Sequence, residues 1–176
     1  MKHAVDGING ASALEMDSTW GVIRVCVEGG KVVSCALPRL RAEPHKPFGW
    51  RKASFHAAQD GDEKVLKQAE KFVRSVFRGK ACGVPPFAWP QATPFTLRVW
   101  RSLASIPAGS VLEYGALACR IGRPGGARAV GRACGANPLP LFIPCHRVLP
   151  KDGSLGGFTG GLPWKRLLLD RERPAR

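Results

Sequence analysis

YGALACRIGRPGGARAVGRACG, residues 114–135, holds two compact helix-forming stretches, 114–122 and 126–135, on either side of Arg123-Pro124-Gly125. Two short helices joined by a turn containing Gly and Pro fit a helix-turn-helix. The second stretch is rich in small residues (Ala127, Ala129, Gly131, Ala133), and its arginines, Arg128 and Arg132, stand one helical turn apart. Across 114–135 there are four arginines and no acid. Small residues let a helix come close to a nucleic-acid groove while arginines hold phosphate. They equally allow one helix to pack tightly on another, and the pattern alone leaves both readings open.

Downstream, Asn137-Pro138-Leu139-Pro140 ends the second helix and leads into LFIPCHRVLP, residues 141–150. Here a thiol, an imidazole and a guanidinium (Cys145, His146, Arg147) lie side by side between Pro144 and Pro150. A cysteine reacts as its thiolate, so a working one needs a base or a positive charge beside it. Adjacency does not guarantee contact, because neighbours on a strand point to opposite faces; a turn after Pro144 would bring the groups together directly or through a water. A third group would orient the imidazole, and the acids after residue 91 are Glu113, Asp152, Asp170 and Glu172. Residue chemistry alone does not choose among them. Arg147 is assigned a structural salt bridge. KDGSLGGFTGGLP (151–163) lacks both the G-K-[ST] ending of a P-loop and the G-x-G-x-x-G spacing of a Rossmann turn, and reads as a loop beside a site. A closing helix starts at Pro163 and buries Trp164, Leu167 and Leu168.

Upstream, Thr93 and Pro94 have the chemistry of an N-cap and a first helical residue. Phe95, Val99, Trp100, Leu103 and Ile106 then recur at helical spacing until Pro107-Ala108-Gly109. ACGVPPFAWPQA (81–92) is the best boundary in the chain. Before it, Val22–Val27 and Val32–Leu37 flank Gly29-Gly30 as a β-hairpin. Residues 38–60 read as a basic, Pro-rich loop with room for a further strand. A helix follows with Val65, Leu66, Ala69, Phe72, Val73, Val76 and Phe77 on one face, capped by Asp60 or Asp62 and ended by Gly79.

The 176 residues make one domain, or two small ones in contact, and an apolar fraction of 44% with five tryptophans is globular rather than disordered. Lys and Arg number 27 against 13 acids, a net charge of +14 with pI near 10.2. Residues 1–91 carry +5 and residues 92–176 carry +9. That excess favours a nucleic acid or another polyanion as partner. No run is long enough for a membrane span and residues 1–13 lack the apolar core of a signal peptide, so no membrane association and a reducing, intracellular location are expected. The six cysteines (26, 35, 82, 119, 134 and 145) show no C-x₂₋₄-C spacing, so neither zinc nor a disulfide framework is expected, and five of the six are read as small buried hydrophobes.

IPCHRV resembles the active-site signature of the O6-alkylguanine-DNA alkyltransferases (methylated-DNA–protein-cysteine methyltransferases). VLEYGALA, GARAVGRACGANPLP and GGFTGGLPWKRLLLDRE resemble that family's DNA-contacting segment, its recognition helix with asparagine hinge, and its substrate loop with closing helix. All stand in the family's order and spacing over roughly residues 93–173; the first half fits only in outline. The resemblance implies an α+β fold, with a small N-terminal α/β (RNase H-like) scaffold domain over 1–91. A mainly helical C-terminal domain with a helix-turn-helix follows over 92–176, carrying DNA binding and the alkyl acceptor. It implies direct-reversal DNA repair: irreversible, single-turnover transfer of an alkyl group from O6-alkylguanine, or O4-alkylthymine, to Cys145 after base flipping. No cofactor and no metal are implied. The partner is double-stranded DNA entered from the minor groove, by a monomer in the cytoplasm (on the nucleoid, or in a eukaryotic nucleus).

Roles follow from the same resemblance. Cys145 is the acceptor, His146 a base acting through a water, Glu172 its orienting carboxylate, and Asn137 the hinge residue that pins the site. Tyr114 meets a phosphate and the flipped base, donating to guanine N3. Arg128 fills the gap in the stack, with Ala127, Ala129, Gly131 and Arg132 on the DNA face. Leu139, Pro140, Phe158, Thr159 and Gly160 line the alkyl pocket. Two positions depart from the family's usual pattern: Glu113 stands where Ser or Thr precedes the tyrosine, and Phe158 where many members have tyrosine. Two other classes compete. One is a DNA-binding module with Cys145 as bystander or sensor. The other is a cysteine hydrolase, which the adjacency of Cys145 and His146 counts against.

Overall fold

The computed structural model describes residues 11–56, 61–80 and 82–173. Strand β1 (Ser12–Ser18) alternates buried and half-buried residues along its length, the period-2 pattern of a strand with one face on a core. It pairs antiparallel with β2 (Gly21–Glu28) and with β4 (Trp50–His56), and β2 pairs with β3 (Lys31–Ala36), giving the order β3-β2-β1-β4. The expected hairpin is β2–β3, turning on Gly29 and Gly30, both with positive φ. The further strand allowed for in 38–60 is β4. β1 is an addition: its SALEMDS interleaves charge with apolar side chains and takes its strand conformation from pairing on both sides.

Helix α1 (Asp62–Phe77) packs Val65, Leu66, Ala69, Phe72, Val73 and Phe77 on the sheet, while Val76 is only half-buried. Of the two expected caps, Asp60 lies outside the described residues and Asp62 does not cap. Gly61 is the N-cap, and the buried Asp62 carboxylate instead accepts from Ser12 Oγ at 2.8 Å and from the Gly30 amide at 2.8 Å. It thereby ties the helix start to the hairpin. The other end closes on Gly79, as expected. Gly79 N donates to Val76 O and Lys80 N to Ser75 O, the paired bonds of a Schellman motif with Gly79 at φ +64°. A Cβ there would also lie 2.0 Å from Arg171 O. Gly79→Ala is therefore expected to cost about 2 kcal/mol or more of stability in urea unfolding, combining left-handed strain with backbone collision.

Beyond residue 92, α2 (Pro94–Ala104) begins as expected: Thr93 Oγ1 accepts from Thr96 N and Pro94 occupies the first turn. Strand β5 (Leu112–Glu113) runs into α3 (Tyr114–Arg120), a turn follows, and α4 (Ala127–Gly135) packs against α3 and α2. Trp100 Nε1 donates to Ala133 O at 2.9 Å, fixing α2 on α4. A 3₁₀ turn (Cys145–Arg147) leads to β6 (Val148–Leu149), parallel to β5, and α5 (Leu162–Glu172) closes the chain. The architecture is α+β, and one cluster of buried side chains runs from the sheet through α1 to α5. Phe48 stacks on Phe77 at 4.6 Å, and Trp164 meets Trp20, Phe48 and Phe77 edge-on, so aromatic packing joins α5 to the sheet side. No helix among the described residues is long and apolar enough to cross a membrane.

Candidate active site

The floor of the site is the segment between α4 and β6. Asn137 follows α4 and spends its whole amide on this segment. Nδ2 donates to Ile143 O at 2.7 Å and to Cys145 Sγ at 3.3 Å, and Oδ1 accepts from Leu139 N at 3.0 Å. Within the span, Leu141 is buried at φ +82°, the one non-glycine residue with positive φ among those described. Such strain costs on the order of 1–3 kcal/mol and persists only where the surroundings over-determine it. Asn137 holds the segment at three points, and Leu139, Phe142 and Ile143 are buried along it. The strain and the amide together fix where the thiol stands.

After Pro144 the chain makes the 3₁₀ turn, which answers the adjacency question. No hydrogen bond joins Cys145 to His146 among the described residues. Instead Cys145 lines a cavity, while the His146 ring lies in the interior with Nε2 2.9 Å from Glu172 Oε1. A carboxylate only accepts, so Nε2 carries the proton and Nδ1 keeps its lone pair. That Nδ1 is shielded from solvent and has no hydrogen-bond partner among the described residues. Glu172 is held by more than the histidine. Arg147 Nη2 reaches Oε1 at 2.7 Å, Arg147 Nε reaches Oε2 at 2.9 Å, and Gly109 N donates to Oε2 at 3.3 Å. Arg147 Nη1 in turn donates to Ile106 O at 2.6 Å. The salt bridge expected of Arg147 is thus made to Glu172 itself, and ties the end of α2 to α5.

These contacts set the charges. Burial would raise Glu172, but the hydrogen bonds and charges of His146 and Arg147 hold it down to about 2. Burial pushes His146 down against the pull of Glu172, so the imidazole is a neutral base at neutral pH. Burial also raises the Cys145 thiol; Asn137 and the charge of Lys165 oppose that rise. Tyr114 is pushed up to about 12, first by burial, and remains a hydrogen-bond donor.

His146 and Glu172 both lie below their ordinary values, so the unfolded chain takes up protons first and stability falls as pH falls. The decline is expected to begin near pH 6.5 and to steepen from 4.5 toward 2. The Glu172 portion is roughly 3 kcal/mol. Denaturant titrations from pH 8 to 3 check this, and a flat profile would contradict it.

The cavity above Cys145 has a volume of about 740 Å³, ample for a base. Tyr114, Ala127, Arg128, Gly131, Phe158 and Thr159, all expected at the site, line it, as do Glu113, Cys134 and Lys151. Arg128 and Arg132 are exposed on α4 and Ala129 is half-buried, but Arg132 and Ala129 do not reach the cavity. Leu139 is not at the pocket wall: it is fully buried beneath, its amide taken by Asn137. Pro140 and Gly160 line a separate cavity of about 390 Å³ next to the first. Two contributors escaped sequence reading. Lys165 is fully buried, donates to Val148 O at 2.8 Å and Gly157 O at 3.4 Å, and sits 5.8 Å from the Tyr114 ring. Nothing in PWKRLLLDRE separates it from a surface lysine. Cys134 was indistinguishable from the other buried thiols, yet it shares the cavity with Cys145; burial first, then the neighbouring thiol, pushes it up to about 12.

Residues 94–174 match the family described as 6-O-methylguanine DNA methyltransferase, DNA binding domain. The methylated-DNA–protein-cysteine methyltransferase of Saccharomyces cerevisiae is 37% identical over 129 residues, covering 67% of this chain and 69% of the yeast protein. The chain belongs to the methylated-DNA–protein-cysteine methyltransferase family. The methyltransferase of that name from Salmonella typhimurium is 52% identical over 80 residues, and the match spans about half of each chain, 46% of this one and 47% of that one. Mycobacterium tuberculosis OGT, solved in complex with DNA, superposes with a TM-score of 0.72 at 31% identity, covering 90% of this chain and 91% of that one. The methyltransferase likeness therefore extends through the sheet, well beyond the segment where identity is high.

Proposed function

We propose that this protein repairs DNA by direct reversal, moving the alkyl group of an O6-alkylguanine in duplex DNA onto Cys145 once per molecule. The observation that carries the reading is a buried thiol at the floor of a base-sized cavity, hydrogen-bonded by Asn137, with a neutral, carboxylate-anchored imidazole next in the chain. In the proposed step His146 Nδ1 takes the thiol proton through a water, and sulfur attacks the alkyl carbon. A C–S bond forms, the C–O6 bond breaks, and its electron pair leaves with guanine. Tyr114 donates to N3 as the ring gains electrons. Asn137 and Glu172 hold the acceptor and the base in place. No residue near Cys145 is set to hydrolyse a thioether, so the alkylated protein is the end product.

The DNA side of the reading has α3 and α4 acting as a helix-turn-helix. The small face of α4 enters the minor groove, Arg128 fills the stack and Arg132 meets phosphate. Readout in that groove is degenerate, which suits a protein that must act at any sequence. The first 91 residues serve as an RNase H-like scaffold domain and residues 92–176 as the reactive one, working as a monomer in the cytoplasm or nucleus without a cofactor. Phe158 and Thr159 wall the alkyl side. Glu113, exposed at the cavity mouth with no cap bond to make, repels phosphate. Glu113→Ser is expected to tighten duplex binding about threefold at low salt and less at high salt, read by fluorescence anisotropy.

The test is intact mass after incubation with a duplex bearing O6-methylguanine. One methyl on one molecule, mapped to Cys145, is the expected result. Binding of the methylated duplex with no mass gain would make the chain a recognition module instead. Continued turnover of an ester or peptide would make it a hydrolase.

A further inference from the structure

Alkyl transfer uses one of two cysteines in the reactive cavity. Cys134, in the last turn of α4, lines it together with Cys145, and the other four cysteines do not. Each of the two is 6% exposed, and they share their surroundings: Tyr114 and Lys165 each respond to both thiols. Asn137 joins the pair. Its backbone amide donates to Cys134 O at 3.3 Å and its side-chain amide to Cys145 Sγ at 3.3 Å. The residues on either side of Cys134 are pinned as well, since Trp100 Nε1 donates to Ala133 O at 2.9 Å and Thr159 Oγ1 to Gly135 O at 3.1 Å. The second thiol is therefore held in place at the end of a helix rather than carried on a loop.

The two thiols differ in what activates them, and this sets an order. Asn137 Nδ2 donates to Cys145 Sγ and favours its thiolate, a donor that Cys134 lacks. Burial first, then the charge of Cys145, holds Cys134 up at about 12, while Lys165 pulls the other way. Once Cys145 has become a thioether it carries no charge, so the second of these causes is gone and the pull of Lys165 remains. Consuming the first sulfur readies the second.

We infer that Cys134 is a second acceptor, used when the group carried to Cys145 bears a leaving group of its own, and that it closes a thioether bridge between the two cysteines. The inference rests on the alkyl-transfer reading and extends it to a substrate class: O6 substituents with a second electrophilic carbon, such as haloalkyl groups. The first step is that of the parent reaction, a C–S bond to Cys145 replacing the C–O6 bond. In the second, Cys134 Sγ attacks the carbon that bears the halogen. A second C–S bond forms, the C–halogen bond breaks, halide leaves with its electron pair, and the thiol proton goes to water. A nucleophile fixed in the same cavity acts at an effective concentration far above that of one in solution, so it captures the pendant carbon before water or DNA does.

Intact mass and peptide mapping of the full-length protein test this, with duplexes bearing O6-methylguanine or O6-(trans-4-chlorobut-2-enyl)guanine. The trans double bond keeps the chloride-bearing carbon away from the other nitrogens of its own base. Trypsin, cutting after Arg132 and Arg147, leaves both cysteines on one peptide, 133–147. The expected product is lighter than the open chlorobutenyl adduct by one HCl. It gives no backbone fragments between Cys134 and Cys145, and leaves four of the six cysteines free, against five after methyl transfer. The bridged form should exceed the open and hydrolysed forms by about tenfold. In Cys134→Ala the group should stop on Cys145 as the open thioether or its alcohol. An open or hydrolysed thioether as the main wild-type product overturns the inference, as does a bridge to any other cysteine or one that survives Cys134→Ala. So does a protein that accepts methyl and refuses chlorobutenyl. The wild-type map decides the matter even where the alanine variant misfolds. No transfer from either duplex overturns the parent function and the inference with it.

Discussion

Cys145→Ser is expected to bind methylated duplex within a few-fold of the wild type and to gain no mass from it, a loss of on the order of 10⁴-fold or more in transfer. The hydroxyl can still accept from Asn137 Nδ2, so the floor of the site keeps its hydrogen bonds and the fold its stability. What disappears is a polarisable sulfur that ionises. Burial already raises the Cys145 thiol, and the Asn137 donor and the Lys165 charge only moderate that rise. A serine in the same place stays neutral and is a far weaker nucleophile. Cys134 shares the cavity, so the experiment has an informative rival outcome. Its thiol, pushed up to about 12, has no hydrogen bond from Asn137 and no imidazole next in the chain. Methyl found on Cys134 in the wild type, or a mass gain retained in Cys145→Ser, would sink the assignment.

Glu172→Gln should slow transfer by about 10²-fold to 10⁴-fold, the range of positioned acid–base catalysis. It should also cost on the order of 3 kcal/mol of stability, because one partner of a buried ion pair is removed while the other stays. The carboxylate receives His146 Nε2, two Arg147 nitrogens and the Gly109 amide. A glutamine offers one acceptor oxygen and turns an NH₂ group toward donors, leaving the Arg147 fork short and freeing the ring to rotate. Glu172 supports the basicity of His146 by hydrogen bond and charge, so the pH midpoint of transfer should also move down. That shift separates positioning from mere loss of fold. Arg147→Lys keeps the positive charge but loses the fork, and is expected to fall between wild type and Glu172→Gln in stability. An unchanged pH midpoint in a folded Glu172→Gln protein would remove Glu172 from the proposed relay.

Much of the fold is legible because local chemistry and tertiary context agree. Thr93-Pro94 caps α2, Gly29-Gly30 turns the hairpin, and the apolar face of α1 meets the sheet with only Val76 left half-buried. Misreadings occur where a side chain has two possible employers. Asp62 has the chemistry of a cap, yet its carboxylate goes to Ser12 and Gly30, partners 50 and 32 residues away. β1 carries Glu15 and Asp17 between its buried residues and becomes a strand through pairing on both edges. Leu139, Pro140 and Gly160 sit in the stretches that resemble the substrate pocket, but distance along the chain does not say which cavity a residue faces. The floor segment turns Leu139 inward, and Pro140 and Gly160 share a cavity with Ser34, Cys35, Ala36, Leu37 and Arg39.

By itself the sequence determined the chemistry-bearing groups and their order: a cysteine between prolines, a histidine beside it, an asparagine before it, a basic pair of short helices, and a closing acid. Tertiary structure alone decided how they are coupled. Only folding brings Glu172 to His146 and Arg147, sets Lys165 in the interior, bends Leu141 into the left-handed region, and lines the neighbouring cavity with residues from the first forty. The physical reason is that charge, burial and strain are properties of neighbours in space. A carboxylate held near 2 and an imidazole kept neutral exist only once water has been excluded and partners 25 and 26 residues apart have met.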